Sequence, residues 1–296
     1  MEKALKSIHF QGKKSLRREN ITLSTLSILF FICLGTLVFI PFLAVFLASF
    51  RPGLLLIRQG MNLKIEPEIM TFQNYIHLFQ DSRFFMWFKN SIFLTLISVV
   101  ATLFVCYIVA YGISMYDFKL KNIAFFLVIA TMMVPFEILL LPLYKEIIAL
   151  NLTNTTAGVI LPGLCGASTI FFFRQYMRGL PKSLLDAGRI DGANEYRICF
   201  TIMLPLTKPA FAAMSILCAM GAWNSMLWPM LIYREASKFT LPIGLNTLLT
   251  PYGNDYDVLI AGSVFSILPI FILFICFQRY FIDGLTAGAV KGLFTE

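Results

Sequence analysis

The sequence predicts an all-α integral membrane protein with six transmembrane helices, and three observations carry that expectation. Of its 296 residues, 58% are hydrophobic and only 14% charged, with a mean hydropathy of +0.78, whereas soluble domains run at about 45–50% apolar and about 25% charged. Apolar runs long enough to cross a bilayer, which takes about 20 residues, recur along the chain. Those runs are continuously apolar and lack the two-residue alternation of lipid-facing barrel strands. A water-soluble enzyme, a disordered chain and a disulfide-stapled fold are all disfavoured.

The first span covers residues 21–50, thirty positions without Asp, Glu, Lys, Arg or His. Lys13, Lys14, Arg17 and Arg18 precede it as in a secretory signal, but a signal core is about 7–15 residues long, so an uncleaved helix is expected. The following segment, Arg51–Lys89, holds Phe72, Tyr75, Ile76, Phe79, Phe84, Phe85 and Phe88 at roughly helical spacing. That pattern predicts an amphipathic external helix over Thr71–Phe88. Span two is read at 90–116. Span three is read at 123–143 and contains Glu137, and span four at 156–173 follows the polar turn Asn151–Thr156. A loop at 174–208 leads to span five at 209–233. The last external loop carries Pro242, Pro251 and Gly253, span six covers 258–278, and residues 279–296 form a tail. The whole, 1–296, reads as a single transmembrane domain with no internal repeat.

The net charge of +8 follows from topology. Sixteen of the 24 Lys and Arg residues fall on the side of the N-terminus, the 174–208 loop and the tail, and eight on the other. By the positive-inside rule both termini and that loop are cytoplasmic, in a multi-pass protein of the cell membrane, and no nucleic-acid partner is needed. Cys33, Cys106, Cys165, Cys199, Cys218 and Cys276 lack metal-type spacing and are accompanied only by His9 and His77. Small buried apolar side chains explain them, and no metal site is expected.

The 174–208 loop is the most informative stretch. Gly179-Leu180-Pro181-Lys182 breaks span four, and Ser183, with Asp186 three residues on, is placed to cap a helix over Leu184–Asp191. Gly192 then stands where a glycine of positive φ closes a helix. Asn194 can cap a second helix, Glu195–Leu204, which Pro205 is expected to end. Two short helices at an angle, on the cytoplasmic face, suit a docked partner.

Asp186-Ala187-Gly188, three residues, Gly192, nine residues and Ile202-x-Leu204-Pro205 together resemble the EAA loop of ABC importer permeases. Further motifs resemble the second membrane subunit of maltose-type, binding-protein-dependent sugar importers: Thr71-x-x-Asn74-Tyr75, Lys89-Asn90-Ser91, Val134-Pro135, Asn154-Thr155, Ile190-Asp191-Gly192-Ala193, Trp223-Asn224, Leu227-Trp228-Pro229 and the tail Gly284–Gly292. Asp186 stands for the usual Glu, and Gly188 for the second Ala, at about 1 kcal/mol of helix propensity. The resemblance implies one half of a translocation pathway shared with a second permease subunit. An ABC ATPase dimer beneath would bind ATP and Mg, and an external solute-binding protein would deliver a sugar-like solute. The chain lacks a G-x-x-x-x-G-K-[ST] phosphate loop, so it is expected to be a transport subunit without a cofactor of its own rather than the ATPase.

On this resemblance Asp186, Ala187, Gly188, Asp191, Gly192, Ala193, Ile202, Leu204 and Pro205 form the ATPase-coupling loop, and Thr286, Gly288, Lys291 and Gly292 a tail contact with the same partner. Two kinds of reading stay open for Glu137, a sugar-hydroxyl or cavity-lining role, or a structural contact with the other membrane subunit or proximity to the outer water. Trp223, Asn224 and Trp228 are candidates for stacking on sugar, or for packing. An ion-coupled secondary transporter would need several intramembrane ionisable groups, and only Glu137 qualifies. Glycerol-phosphate or another polyol derivative competes with sugar as solute.

Overall fold

In lipid only an internally hydrogen-bonded backbone is tolerated, and continuous apolar runs therefore become helix. The computed structural model describes the backbone of residues 2–250 and 253–290 and the side chains of 24–249 and 255–278, and it is helical nearly throughout. The chain divides into two compact units, residues 1–74 and 75–296.

The first unit contains α1 (Glu2–Ala48), α2 (Gly53–Gln59) and the start of α3 (Gln73–Gln80). Its return loop is closed by polar contacts. Asn74 Nδ2 donates to the carbonyls of Ser49 and Arg51, each at 2.8 Å, and the Thr71 N–H donates to Phe50 O at 2.7 Å. The buried Arg51 donates through Nη1 to Asn62 Oδ1 at 2.8 Å. The motif residues Thr71 and Asn74 thus satisfy carbonyls left open at the end of α1.

The second unit comprises α4 (Ser82–Met115), α5 (Lys121–Met132), α6 (Phe136–Ala149), α7 (Thr156–Ile160), α8 (Ala167–Arg178), α9 (Ser183–Ile190), α10 (Glu195–Arg197), α11 (Leu204–Leu206), α12 (Lys208–Trp223), α13 (Leu227–Ile232), α14 (Leu241–Asn246) and α15 (Tyr256–Val290). Among the described residues the β pairing is one antiparallel ladder, β1 (Leu249–Thr250) with β2 (Gly253–Asn254). α4 packs on α8 and α12, and α12 on α15. One core joins Tyr107, Phe173, Met177, Ile198, Met203 and Met214, and another joins Phe84, Trp87, Trp223, Leu241 and Val258.

Three stretches, Ser24–Ala48, Ser82–Met115 and Tyr256–Gln278, are each long and apolar enough to cross a membrane, and three bent helix pairs are so when taken together. The bends correct the expected boundaries. Span three, read at 123–143, is instead α5 and α6 meeting at 104°, because Pro135 lacks an N–H and disfavours helix at Val134. Span four, read at 156–173, bends by 49° around Pro162, Gly163 and Gly166 and runs on to Arg178. Span five, read at 209–233, stops at Trp223 and resumes in α13, since a helix through Pro229 would crowd the carbonyl of Ser225. The amphipathic helix expected over 71–88 divides into α3 and the first turns of α4. Asp81 separates them by accepting the Arg83 N–H at 2.9 Å, so the helix expected to carry span two begins at Ser82, before Asn90.

Candidate functional site

α9 turns its buried face, Leu185 and Gly188, toward the segment after Asn194. A Cβ on Gly188 would lie 2.9 Å from Ile202 Cδ1 and 3.1 Å from Ile198 Cγ1. The glycine that departs from the EAA pattern therefore sits at a close helix approach. Ser183 is the first residue of α9 rather than its cap. Lys182 holds the cap position without a side-chain hydrogen bond, and α9 runs Ser183–Ile190 instead of Leu184–Asp191. The chain then reverses at Gly192, whose φ is +75°. The Gly192 N–H donates to Arg189 O at 3.0 Å and the Ala193 N–H to Gly188 O at 2.9 Å. Asn194 Oδ1 accepts the Arg197 N–H at 2.8 Å and caps α10.

Beyond α10 the helix widens into a π-helical segment, Ile198–Met203, and Pro205 does not end it. The wider i→i+5 turns accommodate a residue without an N–H. Helix continues to Leu206, and a 75° bend at the buried Thr207 leads into α12. Ile202 and Leu204 are half-buried, while Pro205 is exposed.

The two arms are clamped by charge. Glu195 Oε1 accepts from Arg189 Nε at 2.8 Å, and its Oε2 accepts from the Tyr116 hydroxyl at 2.6 Å. Arg189 also donates to Asp186 Oδ1 at 3.3 Å. The Arg189 hydrogen bond first, then that from Tyr116, holds the Glu195 carboxyl below its ordinary value of 4.5. A depressed carboxylate contributes stability that is present above its unfolded value and lost as pH falls through the folded one. At 46% exposure this contribution is screened by water. Acidification below pH 4.5 is therefore expected to destabilise the wild-type chain modestly more than Glu195→Gln. Equal thermal-melting shifts with pH in the two proteins would show that the clamp does not titrate. A second tie is neutral, the Tyr107 hydroxyl of α4 donating to Cys199 O at 2.7 Å.

Asp186, Ala187, Asp191 and Gly192 lie on the open face of this pair, and Ala193 is half-buried. Ile190 and Tyr196 flank the turn at 86% and 78% exposure, and sequence reasoning passed over both as contact residues. Their signal was two large apolar side chains astride the predicted reversal. Thr286 and Gly288 fall in the last turns of α15, whose side chains are outside the described residues, as are Lys291 and Gly292 altogether.

A cavity of about 520 Å³ lies at the helix breaks. Three of the breaks between helices, around Pro135, Gly163–Gly166 and Asn224–Met226, border it through Phe136, Gly163, Gly166, Ser225 and Met226. Broken helices are tolerated at membrane depth where they line a cavity or are buried in protein. Hydroxyls of Ser98, Thr102, Thr169 and Ser225 belong to residues of its wall, together with Glu137 in the first turn of α6. Of the four residues singled out for the pathway, Glu137 and Trp228 line it, and Trp223 and Asn224 do not. Trp223 is buried, donates Nε1 to Ser266 O at 3.0 Å and meets Phe88 edge-on, whereas Asn224 is exposed at the end of α12. Trp228 forms part of the wall with its Nε1 donated to Val159 O at 3.1 Å. The Ser98 and Thr102 pair, four residues apart in an apolar helix, was the legible trace of this cavity.

The far end of α4 holds the loop that leads from α13 into α14. Asn90 Nδ2 donates to the carbonyls of Ser237 and Phe239 at 2.8 and 3.0 Å, and Ser91 Oγ accepts the Leu241 N–H at 2.7 Å. Asn154 Nδ2 donates to Glu235 Oε1 at 2.6 Å. These motif residues do structural work on that loop.

The family described as binding-protein-dependent transport system inner membrane component matches residues 103–286. The arabinooligosaccharides transport system permease protein AraQ of Bacillus subtilis (strain 168) is 51% identical over 265 residues, covering 89% of this chain and 94% of AraQ. The lactose transport system permease protein LacG of Rhizobium radiobacter is 31% identical over 220 residues, 74% and 80% of the two chains. Among solved structures, a chain of a bacterial ABC transporter involved in the import of the acidic polysaccharide alginate superimposes with a TM-score of 0.75 at 26% identity. That match covers 86% of this chain and 96% of the other.

Proposed function

Because the chain belongs to the family of binding-protein-dependent transport system inner membrane components, we propose that it forms half of the translocation pathway of an ATP-driven importer for a sugar or oligosaccharide. It is a transport subunit and not an enzyme. The observation that carries the proposal is the joining of two features in one compact unit, an exposed helix–turn–helix and a cavity built at three helix breaks. Six spans cross the membrane, α5 with α6, α7 with α8 and α12 with α13 each supplying one of them, and both termini and the Gly192 turn face the cytoplasm.

In this reading Asp186, Ala187, Gly188, Asp191, Gly192, Ala193, Ile202, Leu204 and Pro205 belong to the coupling element, with Ile190 and Tyr196 its apolar contacts on an ABC ATPase dimer. ATP and Mg stay on that partner. Thr286, Gly288, Lys291 and Gly292 form a second contact with it. A second permease subunit completes the pathway, and an extracytoplasmic binding protein delivers the solute. Hydroxyl and carboxylate groups on the cavity wall suit a solute rich in hydroxyls, because an exchange of hydrogen bonds replaces its water shell. The strong similarity to AraQ favours an arabinooligosaccharide.

Proteoliposomes holding both permease subunits, with the ATPase and ATP outside and binding protein and arabinooligosaccharide inside, test this directly. Export from the lumen is expected only with all components. An impermeant thiol reagent should reach Gly192→Cys, in a chain otherwise free of cysteine, from the ATP side. Transport without the ATPase, or labelling only from the lumen, would overturn the reading.

A further inference from the structure

A second cavity, about 500 Å³ in volume, opens where α4 ends, α5 begins and α8 gives way to α9. Its wall includes Lys121, Arg174, Arg178 and Lys182, opposed by the single carboxylate of Asp117. Lys121 and Lys182 each pair with Asp117, at 2.9 and 3.1 Å, so that one carboxylate is shared between two ammonium groups. The two arginines are left over. Arg174 is only 7% exposed, its guanidinium lies 3.4 Å from the centroid of the Phe125 ring, and its buried Nε lacks a hydrogen-bond acceptor. Among the described residues no carboxylate or carbonyl pairs with either arginine.

A buried guanidinium is costly unless an anion meets it, and the ring face beneath Arg174 compensates its charge only in part. The fork of donors suits the oxygens of a phosphate. The surroundings say which phosphate. The cavity lies at the ends of α4, α5 and α8, where a bilayer changes from hydrocarbon to headgroup. From its rim the exposed face of α5 descends as Ile123, Phe126 and Leu127, at 56%, 67% and 58% exposure, a surface suited to acyl chains.

We propose that this cleft binds the phosphate of an anionic phospholipid, with Arg174 and Arg178 on the phosphate and the acyl chains along α5. Basic pockets between helices at a membrane face recognise such headgroups. The site is separate from the transport pathway, and it borders the segment that leads into α9. A seated lipid would fix the entry to the helix–turn–helix through Lys182.

The full-length chain, purified in detergent, can be tested by native mass spectrometry with phosphatidylglycerol, phosphatidylcholine or inorganic phosphate added in turn. Phosphatidylglycerol should be retained in preference to phosphatidylcholine. Arg178→Gln, at an exposed position, should lower that preference roughly fivefold, and Arg174→Gln should lower it at least as far. Equal retention of the two lipids would overturn the proposal, as would an unchanged preference in the folded Arg178→Gln protein. Complete displacement of the lipid by inorganic phosphate would assign the cleft to a soluble anion instead. If Arg178→Gln weakened retention of the ATPase without altering lipid binding, the cleft would belong to an acidic protein surface. None of these results depends on which solute is carried.

Discussion

Gly192→Trp is expected to leave the protein folded and inserted while abolishing most ATP-driven transport. The backbone at this position has φ of +75°, where a side chain costs about 1–2 kcal/mol. A Cβ there meets nothing within 4 Å, so the indole has room inside the chain and collides only with what docks from outside. Gly192→Ala carries the same backbone strain without the bulk and separates the two effects. Co-purification of the ATPase and solute uptake, measured in the same vesicles, should both fall sharply for the Trp variant and much less for the Ala variant. Full uptake and normal association with Gly192→Trp would show that the turn is not a docking element.

The second large effect is expected at the other end of the molecule, from Gly244→Ala in α14. A Cβ at Gly244 would fall within the van der Waals envelope of the Trp87 indole, against Cδ2, Cε3 and Cε2. The obstacle is a buried, rigid ring, so α14 must move away from α4. Overpacking of this kind costs about 1–3 kcal/mol, occasionally more, and should appear as a lowered melting temperature of the purified protein. Trp87→Phe makes space and removes an indole N–H that has no acceptor. The double variant Gly244→Ala, Trp87→Phe should therefore recover part of the loss. An unchanged melting temperature in the single variant would refute the tight contact.

The membrane class and the glycine-marked reversal of the helical pair were legible because each rests on local chemistry. Apolar composition speaks for lipid, and a glycine after a short amphipathic helix speaks for a turn. The breaks at Pro135 and at Gly163–Gly166 were marked by residues in plain view, yet hydropathy averages over them and returns one span. Pro205 misled in the opposite direction. Its effect depends on the π-helical turns before it, and nothing in the spacing of residues announces those. Trp223 carried a tempting association with sugar, but which face of α12 meets α15 is a tertiary matter, and there its indole is used for packing. The cavity wall was hidden for a similar reason. The Ser98 and Thr102 pair lies far in sequence from Thr169 and Ser225, and only the crossing of α4 with α8 and α12 brings the three places together. The Arg189–Glu195–Tyr116 clamp likewise needs the end of α4 to reach the turn.

α4 has a consequence that its separate contacts do not state. It is 34 residues long with no proline, a rod of about 50 Å at 1.5 Å per residue. Near one end Trp87, Asn90 and Ser91 grip the loop around α14, and further along Tyr107 grips the π-helical segment, with Tyr116 just beyond the last turn holding Glu195. Two docking events, one at each end, would then act on the same rigid body. If binding at the α14 end changes the affinity at the Gly192 end by some factor, linkage requires the reverse change to have the same size. An affinity measured at one end of the rod would then gauge occupancy at the other.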